Sequence, residues 1–261
     1  YDQKVMIMCG MSAAFSALFG TPLTATIFAM EVVSIGIMEY AALVPCAIAS
    51  LIAREMANMV GAHAEQFPVP ASVTLDIKSG ALIVLLALLC AAVSILFCEV
   101  LHRTERLFKF RMKNPWIRVV VGALLVIVLA KVLGTTDYLG AGMNIVERAI
   151  HGETEPAAFL LKIIFTAITL SCGFKGGEIV PTLFVGATFG CLFGQVTGLS
   201  PSLTAACGMA AVFCGVTNSP ISSLLLSFEL FGFECMPFFL IAVSISYLES
   251  GYFGLYHSQK I

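Results

Sequence analysis

Charged side chains cut this chain into long apolar runs. Val5–Met30 carries none, and neither does Ile179–Phe228, which also lacks histidine. A helix needs about 20 apolar residues to cross a bilayer. The second run is long enough for more than one crossing, yet it holds Pro181, Gly198, Pro201 and Pro220. Irregular backbone at membrane depth is tolerated only where it is buried in protein or lines a polar cavity. The pattern therefore predicts broken helices as well as whole ones.

The first run is interrupted by Gly20-Thr21-Pro22. Proline suits the first turn of a helix, so two helices are expected there. A third is expected from about Glu39 to Met59, before the polar loop GAHAEQFPVP. Another starts near Ser79 and runs to about Phe110, and the next ends near Leu133. DYLGAGMN reads as a turn, followed by a short helix at about Met143–Ile150 and another at Ala157–Leu170. Gly186, Gly190, Gly194 and Gly198 recur at helical spacing, so one face is open to close approach by another helix. Between His102 and Arg118 stand Arg103, Arg106, Lys109, Arg111, Lys113 and Arg118 against Glu105 alone. Such a basic loop is expected on the cytoplasmic side.

Composition agrees with a multi-pass membrane protein. Hydrophobic residues make up 59% and charged residues 11%, against about 25% charged in average globular chains. The net charge of −2, without a Lys/Arg stripe, gives no reason to expect nucleic acid. The nine cysteines have no CxxC pair and read as small buried hydrophobes, and the four histidines show no ligand spacing. No metal or other cofactor is implied. The chain opens at Tyr1 without a signal pattern and reads as a piece of a longer membrane protein.

Two segments align without a gap: GMSAAFSALFGTPLTATIFAMEVVSIGIM from Gly10 and GMAAVFCGVTNSPISSLLLSFELFGFECM from Gly208. Pro22 matches Pro220 and Glu31 matches Glu229. Paired, proline-interrupted segments of this kind mark transporters and channels built from repeats, with the binding site between them. An intramembrane carboxylate is a functional candidate by default. Glu31 is one such group. Glu229 is expected at the interface, hydrogen-bonded to a helix end. Lys131, Lys162 and Lys175 are expected to snorkel to headgroups.

The stretch CGFKGGEIVP carries the chemistry. Glycines let the backbone turn tightly, and a helix starts after them. Its first N–H groups lack internal partners and bear partial positive charge, so they can hold an anion weakly enough to release it. From these residues alone, ion site and packing break weigh equally. An intramembrane enzyme would need a nucleophile with its base, and no GxSxG occurs. A cation-coupled carrier would want carboxylates at mid-membrane, whereas those here stand at the ends of apolar runs.

These segments resemble the CLC family of chloride channels and proton/chloride antiporters. GGEIVP resembles its GxFxP motif, FGTPLTATIFAMEV and NSPISSLLLSFEL resemble its paired repeat helices, and SGYFGLYHSQKI resembles the start of its final helix. The resemblance implies an all-α membrane homodimer of inverted repeats with broken and re-entrant helices, carrying chloride or a similar small anion. It sets residues 1–38 as the end of the first repeat, 39–247 as the second, and 248–261 as the start of a C-terminal helix. A bacterial-type member would sit in the inner membrane.

By the same resemblance, Gly177, Glu178, Ile179, Val180 and Pro181 fall on the motif after Gly176. The anion would meet the N–H groups of Glu178 and Ile179 and the hydroxyl of Tyr256. Pro22 and Pro220 open the repeat helices. Val32, next to Glu31, stands where the antiporters usually carry an inner proton-transfer glutamate. Channel-like flux with weak or no proton coupling is therefore expected, with a proton-coupled chloride or fluoride antiporter as the alternative. GSGIP-like and GREGP-like segments do not occur in this sequence and are expected upstream of Tyr1.

Overall fold

The computed structural model describes residues 2–62, 67, 69, 74–251 and 253–255. Among them the regular elements are all helical: α1 Asp2–Phe19, α2 Pro22–Glu31, α3 Leu43–Met59 after a short 3-10 turn at Tyr40–Ala42, α4 Ile77–Arg111, α5 Pro115–Leu133, α6 Met143–Ile150, α7 Ala158–Ser171, α8 Ile179–Thr197, α9 Pro201–Thr217, α10 Pro220–Phe231 and α11 Met236–Ser250. Four helical stretches are long and apolar enough to span a membrane: Tyr40–Met59, α4, α5 and α8.

The breaks fall where proline and positive-φ residues stand together. Gly20 (φ 67°) turns the chain between α1 and α2, and Asn218 (φ 55°) does so between α9 and α10. Asn218 is the matching position of the second copy, and Asn tolerates this region better than most residues. Pro22 and Pro220 then occupy the first helical turns. With 12 residues, α10 rises about 18 Å, well short of a hydrocarbon core of about 30 Å. It cannot cross alone, and it follows α9 directly after the turn at Asn218.

The two copies meet through their carboxylates. Glu31, the last residue of α2, accepts from Ile221 N (3.1 Å), Ser222 N (2.8 Å) and the Ser222 hydroxyl at the start of α10. Glu229 on α10 accepts from Leu23 N (3.1 Å), Thr24 N (2.8 Å) and the Thr24 hydroxyl (2.7 Å) at the start of α2. Equivalent residues exchange roles, which is the signature of a two-fold relation. Each helix lays its C-terminal end on the other's N-terminus, so α2 and α10 run antiparallel. Parallel copies would bring like ends together. Around this pair, α3 packs on α1 and α2 as α11 packs on α9 and α10.

α9 is the centre of the core, buried continuously from Leu203 to Thr217. Its closest neighbour is α8. A Cβ on Gly186 would lie 2.5 Å from the Gly208 carbonyl oxygen, one on Gly190 would lie 2.1 Å from that of Thr204, and one on Gly194 would lie 2.2 Å from the Thr204 hydroxyl. Three members of the glycine series thus form the expected close face. Gly198 does not, because it ends α8 in the left-handed conformation with open space around it.

α4 begins two residues earlier than the apolar pattern suggests. Asp76 Oδ1 accepts from Ser79 N (2.8 Å), and Ser79 Oγ accepts from Asp76 N (3.0 Å). The Ser79 bonds hold the Asp76 carboxyl below the usual carboxylate range. With 35 residues, α4 is about 52 Å long. Its basic C-terminal end, which pairs Glu99 with Arg103 and Glu105 with Lys109, extends past what the hydrocarbon requires. Cys9 is half-exposed and the other cysteines are buried, all as free thiols.

Replacing Gly190 with Ala forces a methyl group into the α9 backbone. We expect a loss of about 1–3 kcal/mol. Gly10→Ala, with nothing within 4 Å of the added carbon, should be neutral or stabilise by up to about 1 kcal/mol. Thermal unfolding of the detergent-solubilised full-length protein separates the two.

Candidate anion site

The break at the motif is built from local backbone chemistry. α7 ends at Ser171, Gly173 follows with φ 102°, and α8 starts only at Ile179. Gly176 and Gly177 are exposed, while Glu178, Ile179 and Val180 are half-buried. Pro181 is the third residue of α8 and has no N–H. The donors left without an intrahelical acceptor are therefore those of Glu178, Ile179 and Val180. The first α-helical bond runs from Thr182 N to the Glu178 carbonyl (3.3 Å). Glu178 sits at the N-cap, but its carboxylate makes no capping bond to α8.

Gly176, Gly177, Val180 and Pro181 face a cavity of about 620 Å³ between α5, α7 and α8. Its walls are mostly apolar, with Thr166, Thr169, Lys162 and Lys175 as the side-chain polar groups apart from Tyr138. A helix N-terminus opening on a low-dielectric cavity suits an anion that must bind and leave.

Tyr256 lies outside the described residues, as does His257. The chain leading to Tyr256 is held in place. Leu255 N donates to the Val216 carbonyl (2.9 Å), the Asn218 amide donates to the Phe253 carbonyl (3.3 Å), and His102 on α4 contacts the Leu255 carbonyl (3.4 Å). α8 also packs against α4, the helix that carries His102.

Glu31 is 7% exposed, and its carboxylate is committed to the start of α10. Val32 caps the end of α2 and is buried in the main core. Glu229 meets the expectation of a hydrogen-bonded helix end. Lys131 and Lys175 are exposed, as expected of snorkelling side chains, but Lys162 is not. It is 1% exposed, because its Nζ turns inward to the carbonyls of Gly140 (2.7 Å) and Tyr138 (3.4 Å). The sequence placed this lysine in an apolar helix without showing that neighbouring backbone would enclose it. The hydroxyls of Thr24 and Ser222 join the Glu229 and Glu31 caps, and TPLT and SPIS carry them at the same offset, a match that the sequence pattern alone does not tie to the glutamates.

Residues 1–251 match the family described as "Voltage gated chloride channel". This chain belongs to that family. A chloride/fluoride channel protein of Pseudomonas syringae pv. tomato is 32% identical over 266 residues, covering 100% of this chain and 59% of the relative. The voltage-gated ClC-type chloride channel ClcB of Escherichia coli is 30% identical over 264 residues, covering 94% and 61%. The crystal structure of a CLC-type fluoride/proton antiporter superposes with TM-score 0.94 at 33% identity, over 98% of this chain and 65% of that one. A slow cyanobacterial Cl−/H+ antiporter shares the fold at TM-score 0.78 and 15% identity, over 94% and 61%. The chain spans about three fifths of the length of the curated relatives it matches. The CLC architecture, an all-α membrane fold of inverted repeats, is the one described above.

The crossed carboxylates act as helix caps, and their removal should read as stability. Glu31→Ala and Glu229→Ala are each expected to cost about 1–3 kcal/mol, as for the loss of a cap and of bonds to a charged group. Because the two caps act on one helix pair, the double variant should depart from additivity. A denaturation series on the full-length protein in detergent measures both effects.

Proposed function

We propose that the full-length protein moves a small halide, fluoride or chloride, across a bacterial inner membrane, along a path that passes the N-terminus of α8. The observation that carries this reading is the glycine-led start of α8 opening on the 620 Å³ cavity, in a chain of CLC membership. The names of its relatives, a chloride/fluoride channel and a fluoride/proton antiporter, support halide as the cargo. Glu178 N, Ile179 N and the Tyr256 hydroxyl are the proposed ligands, with Gly176, Gly177 and Pro181 shaping the turn that presents them. A neutral hydrogen bond contributes about 0.5–1.5 kcal/mol, so Tyr256→Ala should weaken halide binding by roughly two- to twelvefold in calorimetry.

Two modes of transport each have an observation behind them. Uncoupled, channel-like flux is supported by Val32, which cannot carry a proton, and by Glu31, whose carboxylate serves as a cap. Proton-coupled exchange is supported by Glu178, a titratable carboxylate on the anion-site turn itself, and by the likeness to a fluoride/proton antiporter. We take coupled exchange with Glu178 as the proton-carrying group, since it alone places a proton and an anion at one point. Liposomes with a halide gradient and a pH electrode test this. Wild type should drive protons uphill at a fixed ratio, and Glu178→Gln should abolish proton movement while halide still passes. Halide flux without proton movement in the wild type would establish the channel-like mode.

The assembly proposed is a homodimer through the outer faces of α2, α3, α10 and α11. These faces leave Leu23, Ile48, Ile52, Ile221 and Leu240 exposed. Cross-linking of the full-length protein in membranes should trap a dimer through them. We also propose that the first repeat ends with α3 rather than at residue 38, because α3 packs within the α1–α2 unit.

A further inference from the structure

Lys162 and Glu31 are the only charged side chains buried among the described residues. Glu31 meets helix N–H groups that complement its charge. Lys162 meets none. Its Nζ donates to the carbonyls of Gly140 and Tyr138 and lies 4.9 Å from the centroid of the Phe184 ring. These contacts satisfy its donors but carry no net negative charge, and it forms no ion pair with a described carboxylate. The nearby Glu155 carboxylate accepts from the Tyr138 hydroxyl instead (3.0 Å).

A buried charge is normally paired. The space that could supply the missing charge adjoins it. Lys162 lines the same cavity as Gly176, Gly177, Val180 and Pro181, and Thr166 and Thr169 continue the lysine's face of α7 along that wall. Low-dielectric walls lengthen the reach of a fixed charge, and a cleft of one sign concentrates the opposite ion.

We propose that Lys162 is a positioning residue for the halide path, a fixed cation whose counter-charge is the transported anion held in the cavity before α8. This rests on the halide-transport reading. The ammonium is tied back to Gly140 and Tyr138, so it attracts the anion through space and stays out of its first coordination. Entry is thereby favoured without a tight ligand that would slow exit.

The rival role is mechanical. Lys162 also staples residues 138–140 to α7, and losing that staple could disturb the cavity by itself. Lys162→Gln separates the two roles, since its amide can still donate to the Gly140 carbonyl but carries no charge. Thr169→Asp approaches from the other side, leaving Lys162 and its bonds in place while adding a negative charge to the same wall. Initial rates of fluoride and chloride efflux, measured against halide concentration with full-length protein in liposomes, give KM and maximal rate. We expect both variants to raise KM by about tenfold, the size of one unit charge acting over about 10 Å at an effective dielectric constant of about 20, with the maximal rate changed by less than about threefold. Lys162→Arg, which keeps the charge, should hold KM near wild type. An unchanged KM in Thr169→Asp, or in a folded Lys162→Gln, overturns the proposal and leaves the staple. If Lys162→Gln does not fold, Thr169→Asp decides alone. A wild-type protein that moves neither halide overturns the transport reading instead.

Discussion

The fold depends on closing helix ends where water cannot reach them. A helix leaves its first N–H groups without partners, and the hydrocarbon core of a membrane offers no replacement. Every break inside such a protein creates another open end. At α2 and α10 the chain solves this by symmetry. The glutamate that ends each helix closes the start of the other, backed by a hydroxyl at Thr24 or Ser222. One pair of contacts thereby fixes the antiparallel relation of the copies, locks two short helices that could not span alone, and neutralises two carboxylates against helix dipoles.

That pairing bears on the site through the helices it anchors. α10 continues from α9, α9 is the buried axis of the core, and α8 lies against α9 with backbone touching backbone at Gly186, Gly190 and Gly208. No side chain cushions this contact, so the position of α8 follows that of α9 closely. The proposed presentation of N–H groups to an ion needs such a foundation, because tenths of an ångström decide hydrogen-bond strength. The glycines of the long apolar run therefore serve two purposes. Those before Ile179 loosen the backbone into a turn, and those within α8 hold the helix in place.

Much of this was legible in the sequence because the signals are local. Proline at matched offsets gave the helix breaks at Pro22 and Pro220. The charge-free runs gave the membrane class, and the gapless copies gave the repeat. The side-chain partners were less accessible. Nothing in the linear order of Glu31 and Ser222 says that they touch, since the contact joins opposite ends of the chain and exists only once the copies are inverted. Glu31 reads in the sequence as an intramembrane carboxylate beside Val32, and only the packing of α2 against α10 shows that it caps a helix. Lys162 reads as a snorkelling residue in the sequence for a related reason. In an isolated α7 its side chain would run to the headgroups, and only the packing of residues 138–140 against that helix encloses it. Tertiary backbone decides whether a lysine in an apolar helix is an anchor or a buried charge.

The treatment of charge explains why α8 differs from α2 and α10. At the starts of those two helices an internal carboxylate occupies the place an anion could take, and each is closed. The start of α8 has no side-chain cap among the described residues. Its own N-cap glutamate makes no capping bond to the helix, Pro181 removes one donor, and Gly176, Gly177 and Val180 line a cavity whose wall also carries Lys162, a cation with no ion pair to a described carboxylate. The same physical rule, that a helix N-terminus in low dielectric favours negative charge, is met within the chain at two places, and at the third the proposed halide would meet it. A permanent carboxylate stabilises the fold because it does not leave. A halide would serve the proposed transport because it does leave, and the proposed ligands, backbone N–H groups and the Tyr256 hydroxyl with one distant ammonium, would hold it without a tight ligand that slows release.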